Sequence, residues 1–275
     1  MSYSWKIGTP FGIGVYVHWS FLILPALVLF ENLGLGGWAL ALFAVGLVLA
    51  VFGCIVLHEL GHAMTAQRFG IRTRDITLYP IGGVARLERM SEKPWEEFWI
   101  AVAGPAVNIV IAAALGGFLF FAGEVGRLLP LPALGLTFLH LLMMLNLGLA
   151  VFNMLPAFPM DGGRVLRALL ALRLGRLRAT EVAVGIGTFL AVLMAVGGAL
   201  VFQSLSLVLV GGFVWLMGQA ELAAVYQRHT HQQSQPHELD PHSFAQETPT
   251  PATPLRVYLW DPHTQTWVRQ GSMRS

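Results

Sequence analysis

Six apolar stretches, each near the length that crosses a bilayer, limit what this chain can become. They fall at about 13–31, 37–62, 95–122, 133–153, 180–203 and 205–226, and the fourth resumes as a helix from about 162 after a break. The chain is 55% hydrophobic and 12% charged, with mean hydropathy +0.64, so it carries roughly half the charge of a soluble domain. These runs predict an all-α polytopic membrane protein in a lipid bilayer. A net charge of +2 without a basic patch excludes nucleic acid as an expected partner. The lone Cys54 excludes an intramolecular disulfide. The first run, Val15 to Phe30, follows only Lys6 and precedes no small-x-small cleavage site, so it reads as a retained transmembrane helix.

Short polar or Gly/Pro-rich joints separate the runs. Between the second and third, Ile76, Leu78, Ile81 and Val84, with Gly82-Gly83 among them, predict short strands or a hairpin. An even number of spans puts Lys6, the arginines of 68–89, Lys93, Arg167, Arg173 to Arg178 and Arg228 on one side, and only Arg127 on the other. The positive-inside rule then places both termini in the cytoplasm, and His62 near the cytoplasmic end of the second helix. Residues 1–226 therefore form the membrane domain. Residues 227–254, rich in His, Gln, Ser and Pro, are expected to be a disordered linker, and the alternating tail at 255–275 suggests a small β-hairpin around Asp261-Pro262.

The second run ends on "VLHELGH", residues 56–62. Ionisable groups inside a membrane helix are costly and mark function. His58 and His62, four residues apart, project from one helix face and can bind one metal ion. Zinc suits two nitrogen donors and acidifies water, and Glu59 on the adjacent flank can take the proton. A third donor is needed. "FNMLPAFPMDGGR", residues 152–164, breaks a membrane helix with Pro156, Pro159 and Gly162-Gly163, and such backbone is tolerated only where it lines protein or a wet cavity. Asp161 is available there as the third ligand, with a helix cap as its competing role. Asn153 at the mouth of the break offers a donor to a developing oxyanion, or a helix C-cap.

"HELGH" in one apolar segment, "NMLPAFPMDGGR" in a later one and "GPAVN" (Gly104 to Asn108) between them resemble the site-2 protease family of intramembrane zinc metalloproteases. The resemblance covers roughly residues 10–225. It implies one zinc ion held by His58, His62 and Asp161, Glu59 as the catalytic base, and a transmembrane-helix protein substrate cut within or near the bilayer. It also implies a prokaryotic inner-membrane location, and an edge of the β-structure to which an unwound substrate adds as a strand. Too few residues follow the last helix for paired nucleotide-sensing CBS domains, and no PDZ-like insertion is evident, so no nucleotide is expected. Release of a membrane-anchored regulator and clearance of membrane peptide remnants are both compatible with such an activity. The alternative from another class is a non-enzymatic zinc-binding scaffold or transporter, which needs the ligands but no general base beside them.

Other polar residues carry weaker signals. Cys54 shares a face with His58 but suits apolar packing. His18, His140 and Asn146 suit interhelical or interfacial hydrogen bonds, with Asn146 also a candidate for lining a water path. Gly104, Pro105 and Asn108 suit close packing or contact with the site. Arg164 and Arg167 are expected to serve topology and headgroup contacts.

Overall fold

The longest apolar run folds back on itself at two glycines. The computed structural model describes residues 3–80, 82–88, 91, 93–126, 133–234, 258–261 and 266–269. Helix α1 (Ile23–Arg68) leaves helical geometry only at Gly36 (φ −149°, ψ 15°) and Gly37 (φ 70°, ψ −167°). The Gly37 conformation is open to glycine almost alone. The arms 23–35 and 38–68 lie against each other. Phe21, in the 3-10 turn Trp19–Leu22 before α1, meets the ring of Phe52 edge-on at 4.7 Å between centroids, and Leu24 and Val48 join the same cluster.

Five helices among the described residues are long and apolar enough to cross a membrane. They are α1 with its preceding turn, α2 (Pro94–Gly126), α3 (Ala133–Asn153), α5 (Arg176–Leu200) and α6 (Leu205–Ser234). Large apolar side chains such as Phe120, Phe189 and Phe213 stand exposed on them. The shorter α4 (Asp161–Leu174) follows the break at 154–160. Close backbone approach holds the break and its neighbours. A Cβ on Gly163 would lie 2.7 Å from the carbonyl carbon of Ala157, one on Gly187 of α5 would lie 3.2 Å from Ala157 Cα, and one on Gly211 of α6 would lie 2.6 Å from the Ala191 carbonyl oxygen.

A four-stranded sheet contributes more than expected from the stretch between the second and third runs. Its order is β1 (Ser4–Gly8), β2 (Gly14–His18), β3 (Thr73–Tyr79), β4 (Gly82–Leu87). Two strands thus come from the N-terminus, and residues 14–18, expected to begin the first membrane helix, form β2 instead. Strand β2 pairs in parallel with β3, while β1–β2 and β3–β4 are antiparallel. A parallel pair needs a long crossover, and the whole α1 hairpin serves as one. The sheet packs on α1 through Ile13, Ile76, Leu60 and Ala63, and through Leu78 with Phe21 and Phe52. This burial puts β4 over the second arm of α1.

The chain divides into two units, residues 1–229 and 230–275. Helix α6 continues to Ser234, so residues 227–234 of the expected linker are helical, while 235–254 lie outside the described residues. In the tail, β5 (Tyr258–Asp261) and β6 (Thr266–Arg269) pair antiparallel, with Tyr258 opposite Arg269.

Arg167 does not reach headgroups, contrary to the expectation from charge bias. It is 1% exposed. Its Nε donates to Glu97 Oε1 at 2.8 Å, further guanidinium N–H groups pair with Glu97 and with Glu221, and its Cζ lies 5.0 Å from the Phe158 ring centroid. One side chain of α4 thereby joins α2, α6 and the break. Removing one partner of a buried ion network leaves uncompensated charge, so Arg167→Ala is expected to cost about 3–5 kcal/mol. Lys93→Ala, breaking the exposed pair with Glu96 (3.1 Å), should cost about 0–1 kcal/mol. Denaturant unfolding in detergent checks the contrast, and equal losses would contradict it.

Candidate metal centre

His58 and His62 stand one turn apart on the second arm of α1, both buried, with Gly104 of α2 close against their Nε2 atoms. Asp161 arrives from α4. Its Oδ2 lies 3.1 Å from His58 Nε2 and 3.1 Å from His62 Nε2, and the two Nε2 atoms are 3.0 Å apart. These three residues form a group able to hold one metal ion, and Cys54 is not part of it. The competing role for Asp161 is not the one it takes. Met160 is the N-cap of α4, and the Asp161 carboxylate faces the imidazoles.

The donor set fits zinc. Two Nε2 atoms facing each other can share only one proton, and with Oδ2 they leave a convergence of lone pairs that a cation satisfies. Tetrahedral donors about 2.0–2.1 Å from a zinc ion stand roughly 3.3 Å apart, close to the observed triangle. The second ring nitrogen of His62 is also held, as metal-ligating imidazoles require: Nδ1 lies 2.6 Å from the Ile100 carbonyl oxygen, to which it donates. Gly104 of α2 closes the floor. A Cβ there would collide with His62 Nε2 and come within 2.7 Å of His58 Nε2. Thus Gly104 of "GPAVN" serves close packing against the donors themselves.

Glu59 is half-buried on the flank of α1 that faces β4. A Cβ on Gly83 of β4 would lie 2.9 Å from Glu59 Cγ and 3.2 Å from Ile55 Cγ2. Gly83 therefore lets an edge strand pass directly over the Glu59 side chain. Sequence reading found the Gly82-Gly83 pair but missed this use of it. Asn153, half-buried, is the last residue of α3, and one of its amide hydrogens is committed to the Leu149 carbonyl at 2.9 Å.

The remaining candidates sit as follows. Cys54 is buried and accepts from Asn146 Nδ2 at 3.3 Å. His18 Nδ1 lies 2.7 Å from Ser20 Oγ, and its ring lies 5.1 Å from that of Tyr79. His140 is exposed on α3 beside Leu136 and Met144. Arg164 is half-buried after Gly163, and Asn108 is 1% exposed. The buried pairing of Arg167 with Glu97 and Glu221 was missed, since neither partner lies within one helix of it.

The close approach of Gly104 has a direct consequence. Gly104→Ala drives a methyl group into the donor atoms, so metal affinity should fall about tenfold or more, because displaced outer contacts alone cost 10–100-fold. Chelator competition on the purified variant measures this, with circular dichroism confirming retained helix. Unchanged affinity would contradict the described packing.

Comparison with known proteins agrees with this geometry. The profile of peptidase family M50 matches residues 46–129 and 132–196, which include all three donors. A zinc metalloprotease of Methanocaldococcus jannaschii is 35% identical over 82% of this chain and 62% of its own length. A Synechocystis protein is 40% identical over 62% of this chain and 45% of its own. The chain thus spans about half to three-fifths of the length of these curated relatives. Among solved structures, the site-2 protease from Methanocaldococcus jannaschii superposes with a TM-score of 0.56 at 33% identity, over 80% of this chain and 95% of that one. By profile, relatives and fold, the chain belongs to peptidase family M50.

Proposed function

We infer that this protein is an intramembrane zinc endopeptidase that hydrolyses peptide bonds within or near transmembrane helices of other proteins. The observation that carries this reading is the buried triangle that His58 and His62, on a helix long and apolar enough to cross a membrane, form with Asp161 at the start of the short helix α4, with Glu59 on its flank. The two arms of α1 are separate crossings joined at Gly36-Gly37, which brings the count to six and both termini to the cytoplasmic side of an inner membrane. A hydrolytic site near the cytoplasmic end of the second crossing has water within reach.

His58, His62 and Asp161 are the ligands for one zinc ion. Bound there, zinc supplies a Lewis acid that polarises a carbonyl and acidifies water toward neutral pH. Glu59 takes the proton from the attacking water and delivers it to the leaving amide nitrogen, so the elements of water are added across the C–N bond. The free amide hydrogen of Asn153 donates to the carbonyl oxygen as negative charge develops on it. The outer edge of β4, the last strand in its sheet, pairs with an unwound stretch of the substrate helix. Gly83 keeps that edge close to Glu59.

Glu59→Gln separates binding from chemistry. The variant should retain one zinc per chain by elemental analysis, and cleavage of a single-helix reporter in proteoliposomes should fall by about 10²–10⁴-fold. Undiminished cleavage by the purified variant would sink the reading. Gly83→Val tests the strand. It should lower cleavage while leaving zinc content intact, and unaltered turnover would remove β4 from the mechanism.

A further inference from the structure

Six buried side-chain atoms among the described residues have no hydrogen-bond partner, and four belong to His58, Asn108 and Asn146. The four are His58 Nδ1, Asn108 Nδ2, Asn108 Oδ1 and Asn146 Oδ1. With His58 Nε2 turned toward the metal, its Nδ1 carries a proton, so the set comprises two donors and two acceptors. Such a set is costly when dry, and a buried water satisfies groups of this kind with about three bonds.

These residues share one level of the helix bundle. Helix α2 runs antiparallel to the second arm of α1. Ile100 meets His62, a Cβ on Gly61 would lie 2.9 Å from the Ala103 carbonyl and 2.8 Å from Val107 Cγ2, and Gly104 underlies both imidazoles. Continuing that register, Asn108 lies one turn beyond Gly104 on the same face of α2, level with His58 and just short of Cys54. Asn146 reaches this level from α3 through its 3.3 Å bond to Cys54 Sγ. Its second bond, to the Leu142 carbonyl at 2.8 Å, completes its donors and leaves only Oδ1 open. The two imidazoles are therefore unequal: His62 donates to a backbone carbonyl, while His58 has no protein acceptor.

We propose that Asn108 and Asn146 hold ordered water against His58 Nδ1, and that this water is the outer partner of the imidazole. The water accepts from His58 Nδ1–H and donates to the carboxamide oxygens of Asn146 and Asn108. A second water accepts from Asn108 Nδ2. The arrangement fixes the tautomer whose Nε2 lone pair faces the ion. No protein acceptor reaches His58 Nδ1, in contrast to the Ile100 carbonyl that accepts from His62. Both asparagines are positioning residues, acting through His58 rather than on substrate. The proposal rests on His58 being a metal ligand.

The test is zinc affinity by chelator competition on the purified full chain, with the d–d absorption of the cobalt-substituted protein as a second readout. Asn108→Leu should weaken zinc binding 10–100-fold and shift the cobalt spectrum, because loss of an outer partner loosens its ligand. Asn108→Asp keeps an acceptor and should stay within about threefold of the parent. Zinc binding that depends on His58 but is unchanged in a folded Asn108→Leu variant would overturn the water-bridged support alone. Zinc binding unaffected by His58→Ala would overturn the metal assignment, and the support with it. If Asn108→Leu does not fold, a high-resolution structure of the unaltered protein decides. Water density touching both His58 Nδ1 and Asn108 supports the proposal, and a dry contact overturns it.

Discussion

Three donor atoms about 3 Å apart, from two helices far apart in sequence, are the constraint on which the rest of this structure depends. Two imidazoles on an apolar helix are individually unfavourable, and a buried carboxylate more so. Together they form a ligand set whose binding energy can offset that cost. The fold around them reads as the means of bringing Asp161 to the histidines. The break at 154–160 turns the chain so that α4 begins beneath α1, and Gly162 and Gly163 let its first turn lie against the break. Gly104 then allows α2 to approach the donors more closely than any side chain would permit.

Around that centre, two features solve separate problems. The sheet sits on the second arm of α1 and brings an edge strand over Glu59. The Arg167 network ties α4, and with it Asp161, to α2 and α6. Its charges are desolvated, so it adds little net stability over an apolar replacement, but it is unforgiving of a missing partner. This makes it a device for fixing the angle of α4 rather than a source of stability.

The grouping of His58, His62 and Asp161 was legible in the sequence because its signals are local. The spacing of His58 and His62 fixes one helix face, and Pro156, Pro159 and Gly162-Gly163 announce a break that puts Asp161 at a helix start. The strands β3 and β4 were legible for the same reason. Strand β2 was not. "GVYVH" is a short apolar run without decisive periodicity, and it adjoined a longer run that is helical. Its parallel pairing with β3 spans the whole of α1, beyond the reach of local pattern. Arg167 was misread because its partners, Glu97 and Glu221, lie 70 and 54 residues away. Charge bias counts a lysine or arginine by side and cannot tell a buried one from a headgroup contact. The unequal support of His58 and His62 was invisible too, since it depends on the register between α1 and α2.

The measurement that bears most directly on the central claim is zinc K-edge X-ray absorption of the purified, unaltered protein. One equivalent of zinc surrounded only by nitrogen and oxygen donors at about 2.0–2.1 Å, with the outer scattering of two imidazoles, is the predicted result. A sulfur shell at about 2.3 Å, which Cys54 alone among the cysteines can supply, or zinc far below one equivalent, would contradict it.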